Sequence, residues 1–151
     1  MKGKFLGTAS LNYVDGVDSE VRYPLVYVAS NGNRYGLCQG TRTDGASSRF
    51  LFGHINFLPT DAQNPPPAWL HDKHYRTGHV YLDGVPVRVI RRSEADWVFY
   101  DGLKALSNAT GLRAVRWQIV CSLAWLGLRL FGWSVWNRYR RHEVKRTIRR
   151  K

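Results

Sequence analysis

Two short segments of the chain carry side chains that could perform acid–base chemistry. His71, Asp72 and Tyr75 lie within five residues of one another, and Asp96 follows later in the chain. On a helix, His71 and Tyr75 share a face because they are four residues apart. Asp96 stands at the head of an apolar stripe over residues 99–103, where a carboxylate is costly to bury without a partner. His71 or Tyr75 could be that partner, and a histidine held by a carboxylate has the fixed tautomer and raised basicity of a general base.

Simpler roles for the same residues follow from helix and turn chemistry. Ser93 is a good helix N-cap, and Asp96 three residues later would complete an acidic variant of the capping box. An acid in a first helical turn is also favoured by the helix dipole. Asp44-Gly45 is typical of a turn.

Zinc chemistry is a weaker alternative. Four of the five histidines are candidate ligands: His54, His71, His74 and His79. However, a His-x-x-His pair on a helix directs its rings less well than a His-x-x-x-His pair. The two cysteines, Cys38 and Cys121, lack the spacing of a metal site.

The elements that must position these residues begin with strands. Residues 22–30 and 34–39 are predicted to form a hairpin about Asn31-Gly32-Asn33, and residues 5–13 add a strand. Residues 79–92 are predicted to form a second hairpin about an Asp-Gly turn.

Helices follow in the second half of the chain. Pro67 can open a helix over residues 68–77, which Gly78 ends. A second helix is predicted from Ser93 to about Leu106, and a long helical pattern runs from Leu112 to at least Trp136. This order predicts an α+β fold, with one domain over residues 1–136 and a basic tail over residues 137–151.

The charge of the chain is concentrated at one end. The protein has 151 residues and a formal net charge of +12, with 44% hydrophobic residues, which is enough for a core. Residues 113–151 hold eleven basic residues and one acid, whereas the first 112 residues have a net charge of only +2. Two cysteines exclude a disulfide scaffold. The start of the chain lacks the pattern of a signal peptide, so we expect a reducing interior as the site of synthesis and no secretion.

Residues 119–136 are nearly all apolar, with Arg129 as the one charge. Three interpretations remain open: a core helix covering the hairpins, which we favour, a helix lying in a membrane interface, or a span. The basic tail that follows could bind phosphate groups of nucleic acid or of an anionic membrane surface, or merely be solvated. Its candidate contacts are Arg138, Arg140, Arg141, Lys145, Arg146, Arg149, Arg150 and Lys151.

The combined order of these motifs resembles a phage and prophage family defined only as a domain of unknown function. The resemblance implies a phage or prophage accessory protein, with virion proteins among its partners, located in the host bacterial cytoplasm, peripherally at the inner membrane, or in the virion. It spans roughly residues 36–136 and rests on these segments: Thr43-Asp44-Gly45-Ala46-Ser47, Ala68-x-Leu70-His71-Asp72-x-x-Tyr75-Arg76, Ala95-Asp96-x-x-Phe99 and Arg129-Leu130-Phe131-Gly132 with Trp133 or Trp136.

The pair of segments His71-Asp72-x-x-Tyr75 and Ala95-Asp96-x-x-Phe99 is also similar to the phospholipase A2 superfamily, especially the disulfide-free domains of parvovirus capsids. That resemblance implies that His71 activates water and that Asp72 binds calcium, with Asp44 as the nearer candidate for the calcium loop. It further implies that Asp96 orients His71 and that Tyr75 hydrogen-bonds Asp96. Two hypotheses follow: a calcium-assisted ester hydrolase at the host envelope, or a non-enzymatic phage protein in which this cluster is a buried polar network.

Overall fold

A computed structural model describes residues 1–13, 19–43, 65–108 and 110–148. Within these residues the fold is α+β, as the sequence predicts, with short antiparallel strands followed by helices and a long C-terminal helix. The strands are β1 (Lys4–Leu6), β2 (Leu11–Tyr13), β3 (Ser19–Val21), β4 (Leu25–Val28), β5 (Arg34–Leu37), β6 (Arg42–Thr43), β7 (His79–Leu82) and β8 (Val85–Val89). The helices are α1 (Pro66–Thr77), α2 (Arg92–Leu106) and α3 (Gly111–Ile148).

Both predicted hairpins are present. β4 pairs antiparallel with β5, and Tyr27 lies opposite Tyr35. β7 pairs with β8 across a turn in which Asp83 and Gly84 both have positive φ, as a tight two-residue hairpin turn requires. The first sheet has the order β1-β4-β5 and the second the order β2-β3-β6.

The predicted single strand over residues 5–13 is wrong in one respect. The segment forms two strands, β1 and β2, which belong to different sheets. Gly7 lies between them with a φ of +103°, a conformation that side-chain-bearing residues rarely adopt, so the chain turns there.

Helix α1 is the central element of the fold. A proline lies at its first position, and Gly78 ends it in the left-handed conformation, with the Gly78 N–H bonded to the carbonyl of His74. The predicted helix is therefore confirmed, with a start two residues earlier. Most of its side chains are buried, including His71, Asp72 and Tyr75, so this helix places polar side chains inside the core.

The predicted capping role of Ser93 is wrong. Helix α2 begins at Arg92, because the carbonyl of Arg91 accepts bonds from the N–H groups of Glu94 and Ala95. Ser93 thus lies inside the first turn, and no side chain caps the helix. Asp96 is fully buried, which makes it part of the core and rules out a solvent-facing first-turn acid.

Helix α2 is tied to the first sheet by a second buried carboxylate. Tyr27 donates a hydrogen bond of 2.7 Å to Asp101, and the backbone N–H of Ser30 donates another of 2.8 Å to the same oxygen. These two bonds therefore anchor α2, at Asp101, to β4 and to the turn that follows β4.

Helix α3 continues well past Trp136, to Ile148. Cys121, Ala124 and Leu128 are buried on its inner side, where it packs on α1 and α2. The segment from Gly111 to Arg141 is long and apolar enough to cross a membrane, yet only 22% of its most apolar window is buried. One side of this helix is therefore packed in the core, while other apolar side chains of the helix are exposed.

Candidate active site

Helices α1 and α2 bring together the three residues that the sequence singled out for acid–base chemistry. Nε2 of His71 lies 3.2 Å from Oδ1 of Asp96. The hydroxyl of Tyr75, one turn further along α1, donates a hydrogen bond of 2.5 Å to the same oxygen. The spacing of four residues on one helix therefore does what the sequence predicts: it aims two side chains at one carboxylate.

The second oxygen of Asp96 is held by cations. Nη1 of Arg129 donates to Oδ2 at 3.1 Å, and Nη1 of Arg92 lies 3.6 Å from it. Burial raises the pKa of Asp96, but the hydrogen bonds from His71 and Tyr75, supplemented by Arg129, outweigh it and hold that pKa below its ordinary value. Burial also raises the pKa of Tyr75, so the phenol keeps its proton and remains a donor. Asp96 is accordingly an ionised carboxylate with four partners.

These contacts define the orientation of His71. An ionised Asp96 can only accept a hydrogen bond, so the neutral imidazole carries its proton on Nε2. Nδ1 has no hydrogen bond with any residue that the structure describes, and it is not one of the fully buried polar atoms that lack a partner. The ring is wedged between Tyr75, at 4.1 Å between centroids, and Phe99, at 5.2 Å. A water molecule at Nδ1 would therefore meet a fixed, unprotonated nitrogen.

Helix α3 closes the cluster from a third side. The ring of Trp136 packs edge-on against Tyr75 at 5.1 Å, and a Cβ at Gly132 would lie 2.5 Å from the Tyr75 hydroxyl. Gly132 is thus required for the close approach of α3. Arg140, predicted to belong to the basic tail, donates a hydrogen bond of 2.8 Å to the carbonyl of Tyr75.

Arg129 is the site residue that the sequence reasoning missed. The available signal was that Arg129 is the only charge in the apolar stretch over residues 119–136. A lone charge in such a stretch needs a buried partner of opposite sign. That partner is Asp96.

Asp72, the residue implied as a calcium ligand, lies on α1 beside β6. Its Oδ2 accepts a hydrogen bond of 2.7 Å from the hydroxyl of Thr43. Carboxylate and hydroxyl oxygens are the right kind of ligand for calcium, which takes about six to eight oxygens. In the described part of the chain, no group of three or more His, Cys, Asp or Glu side chains could hold a metal. Asp72 and Thr43 therefore offer the type of oxygen ligand that calcium prefers, and they supply part of its coordination shell. Asp44, the other predicted ligand, lies outside the described residues.

The described histidines of α1 and β7 do not converge on a zinc site. His74 is fully buried against the edge of the Tyr35 ring, 5.7 Å away between centroids. His79 is hydrogen-bonded to the carbonyl of Thr77 at 2.7 Å. His71 is committed to Asp96, and His54 lies outside the described residues.

Neither ring nitrogen of His74 has a hydrogen-bond partner among the described residues, and this has a consequence for pH stability. Burial, with a smaller contribution from His71, lowers the pKa of His74 from 6.5 to about 3. The unfolded chain therefore binds a proton at His74 that the folded protein does not bind. The free energy of unfolding consequently falls as the pH drops from 6.5 towards 3, by about 1.4 kcal/mol per pH unit.

We expect His74→Leu to remove this contribution to the pH dependence and to be at least as stable as wild type at pH 7, as measured by urea unfolding at several pH values. Parallel pH profiles for the two proteins would contradict this expectation.

The predicted phosphate-binding residues begin on the last turns of α3. Arg138 and Arg141 are exposed, and Lys145 and Arg146 lie on the same helix. Arg149, Arg150 and Lys151 lie outside the described residues.

Comparisons of this chain with protein-family models, with curated proteins and with solved structures found no match.

Proposed function

We propose that this protein is a hydrolase of acyl esters in phospholipids, with His71 as general base. The observation that supports it best is the pairing of His71 Nε2 with buried Asp96 at 3.2 Å, while Nδ1 has no hydrogen-bond partner among the described residues. A general base needs one nitrogen held in place by a partner and the other able to accept a proton from water, and this arrangement is consistent with both requirements.

The chemistry follows from the placement of the proton. Nδ1 of His71 accepts a proton from a water molecule as the water oxygen attacks the acyl carbonyl carbon. The tetrahedral intermediate then breaks its bond to the alcohol oxygen, and the imidazolium returns the proton to that leaving alcohol. Asp96 stabilises the imidazolium, and Tyr75 and Arg129 keep the carboxylate ionised and in place.

Asp72 supports the proposal from the next position of α1. Its carboxylate and the Thr43 hydroxyl would hold calcium, which when bound polarises an ester carbonyl and stabilises the charge that develops on its oxygen. Calcium dependence is therefore expected, with Asp72 as its protein ligand.

The phage or prophage origin implied by the sequence resemblance gives this activity a setting at the host envelope. The alternative is a phage accessory or virion protein in which the four polar residues only fix the packing. The low exposure of His71, 2%, favours that alternative, whereas an Nδ1 with no partner in the described part of the chain favours hydrolysis. The hydrolase proposal predicts catalytic turnover, and the structural alternative predicts none.

The test is release of fatty acid by the full chain from phosphatidylglycerol-containing vesicles, with calcium or with EDTA. We expect many moles of fatty acid per mole of protein with calcium, and a large reduction in EDTA. No release in either condition would contradict the proposal and favour the structural alternative.

A further inference from the structure

The side of α3 that points away from the domain is apolar along more than five turns. Seven large side chains recur on it at spacings of three or four residues, which on a helix places them within about a quarter of the circumference. Their exposed fractions lie between 46% and 85%. We call this surface the outer face of α3; its residues are Leu112, Val115, Ile119, Leu123, Leu126, Leu130 and Trp133.

From Ile119 to Trp133 the outer face carries no charge, and exposed Arg116, three residues before Ile119, borders its N-terminal end. Between Arg116 and Arg138 the only charged residue of the helix is Arg129, and the guanidinium of Arg129 is turned towards Asp96 at 3.1 Å. The opposite side of the helix is already occupied by the domain, through Cys121 and Leu128. The exposed apolar surface is therefore a property of the folded protein, since the core uses the other side.

We infer that the outer face of α3 docks on an anionic lipid bilayer, with the helix lying in the plane of the interface. The face extends over 22 residues, about 33 Å, and ends next to a strongly basic segment. Residues 138–151 hold eight basic residues and one acid. An apolar face followed by a cationic segment matches acyl chains below a layer of anionic headgroups.

Charge and packing argue against the other occupants. A second copy of this chain would bring two helices together whose residues 113–151 each carry a net charge of +10. Nucleic acid would use the basic residues but leave the apolar face in water. A full span is disfavoured because the inner side of α3 is packed on α1 and α2, so crossing the bilayer would strip Arg129 from Asp96.

The experiment is flotation of the full chain with vesicles of phosphatidylcholine alone or with phosphatidylglycerol, in EDTA and in the His71→Gln background. Those conditions make binding independent of the proposed hydrolysis. Leu123 is 63% exposed in the middle of the outer face, and we expect Leu123→Glu to lower the partition coefficient at least about tenfold. The matched control is Tyr23→Glu, which makes the same charge change at a side chain that is 44% exposed between β3 and β4; it should bind like wild type.

The expected result is binding to phosphatidylglycerol vesicles that weakens with salt and is released by alkaline carbonate. Equal binding of Leu123→Glu and wild type would overturn the inference, as would a wild type that binds DNA but no vesicles. A wild-type dimer in sedimentation that Leu123→Glu converts to monomer would identify a second copy as the occupant. Retention after carbonate would identify a span.

Discussion

His71→Gln should lower the rate of fatty-acid release from anionic vesicles at least about 100-fold, because general-base catalysis contributes about 10²–10⁴. The glutamine amide can still donate a hydrogen bond to Asp96, so the cluster keeps its geometry. It has no nitrogen that accepts a proton at neutral pH, so the water is no longer activated. The measurement is the ratio of the initial rates of wild type and His71→Gln, determined with calcium at equal concentrations of folded protein.

His79→Gln is the matched control for this substitution. His79 lies just beyond α1 and is hydrogen-bonded to the Thr77 carbonyl, away from Asp96. It should retain the wild-type rate. A His71→Gln protein that retains more than a third of the wild-type rate, or equal losses in both variants, would exclude His71 as the base.

Asp96→Asn should destabilise the fold by about 3–5 kcal/mol, the usual cost of breaking a buried ion pair from one side. The substitution removes the negative charge that faces Arg129 at 3.1 Å and Arg92 at 3.6 Å. It also replaces one carboxylate oxygen with a donor group, which opposes the donors already aimed at this site. The measurement is the free energy of unfolding from urea titration at pH 7.

Asp101→Asn provides the comparison, because Asp101 is also buried on α2. The donors shown to reach it, the Tyr27 hydroxyl and the Ser30 N–H, are uncharged. Its cost should be smaller, about 1–2 kcal/mol, as for an ordinary buried hydrogen bond. If Asp96→Asn costs no more than Asp101→Asn, the ion pairs with Arg129 and Arg92 contribute little.

The local elements of this fold could be predicted from the sequence because each has a chemical cause within a few residues. Gly78 ends α1 since glycine adopts the left-handed conformation there without strain, and the Asp83-Gly84 pair sets the turn of the second hairpin. The contact of His71 and Tyr75 with one carboxylate was also predictable, because helical periodicity puts both side chains on one face.

Contacts between elements that are far apart in the chain could not be predicted from such local causes. Nothing near Arg129 in the chain indicates Asp96 as its partner, since the pair forms only when α3 packs across α2. The start of α2 was misplaced for a related reason: Ser93 is a good cap by type, but the helix geometry was settled by the backbone of Arg91. Likewise, hydropathy could not decide between a core helix and a membrane helix for residues 119–136. The structure shows a helix with one apolar side buried and another exposed.

The protonation of the two nitrogens of His71 decides whether Nδ1 is available to act as a general base. It can be measured in protein labelled with ¹⁵N-histidine, from long-range ¹H–¹⁵N spectra assigned by comparison with His71→Gln. At pH 8 we expect the proton on Nε2, bonded to Asp96, and an unprotonated Nδ1. A proton on Nδ1, alone or together with one on Nε2, would contradict the assignment of His71 as the base.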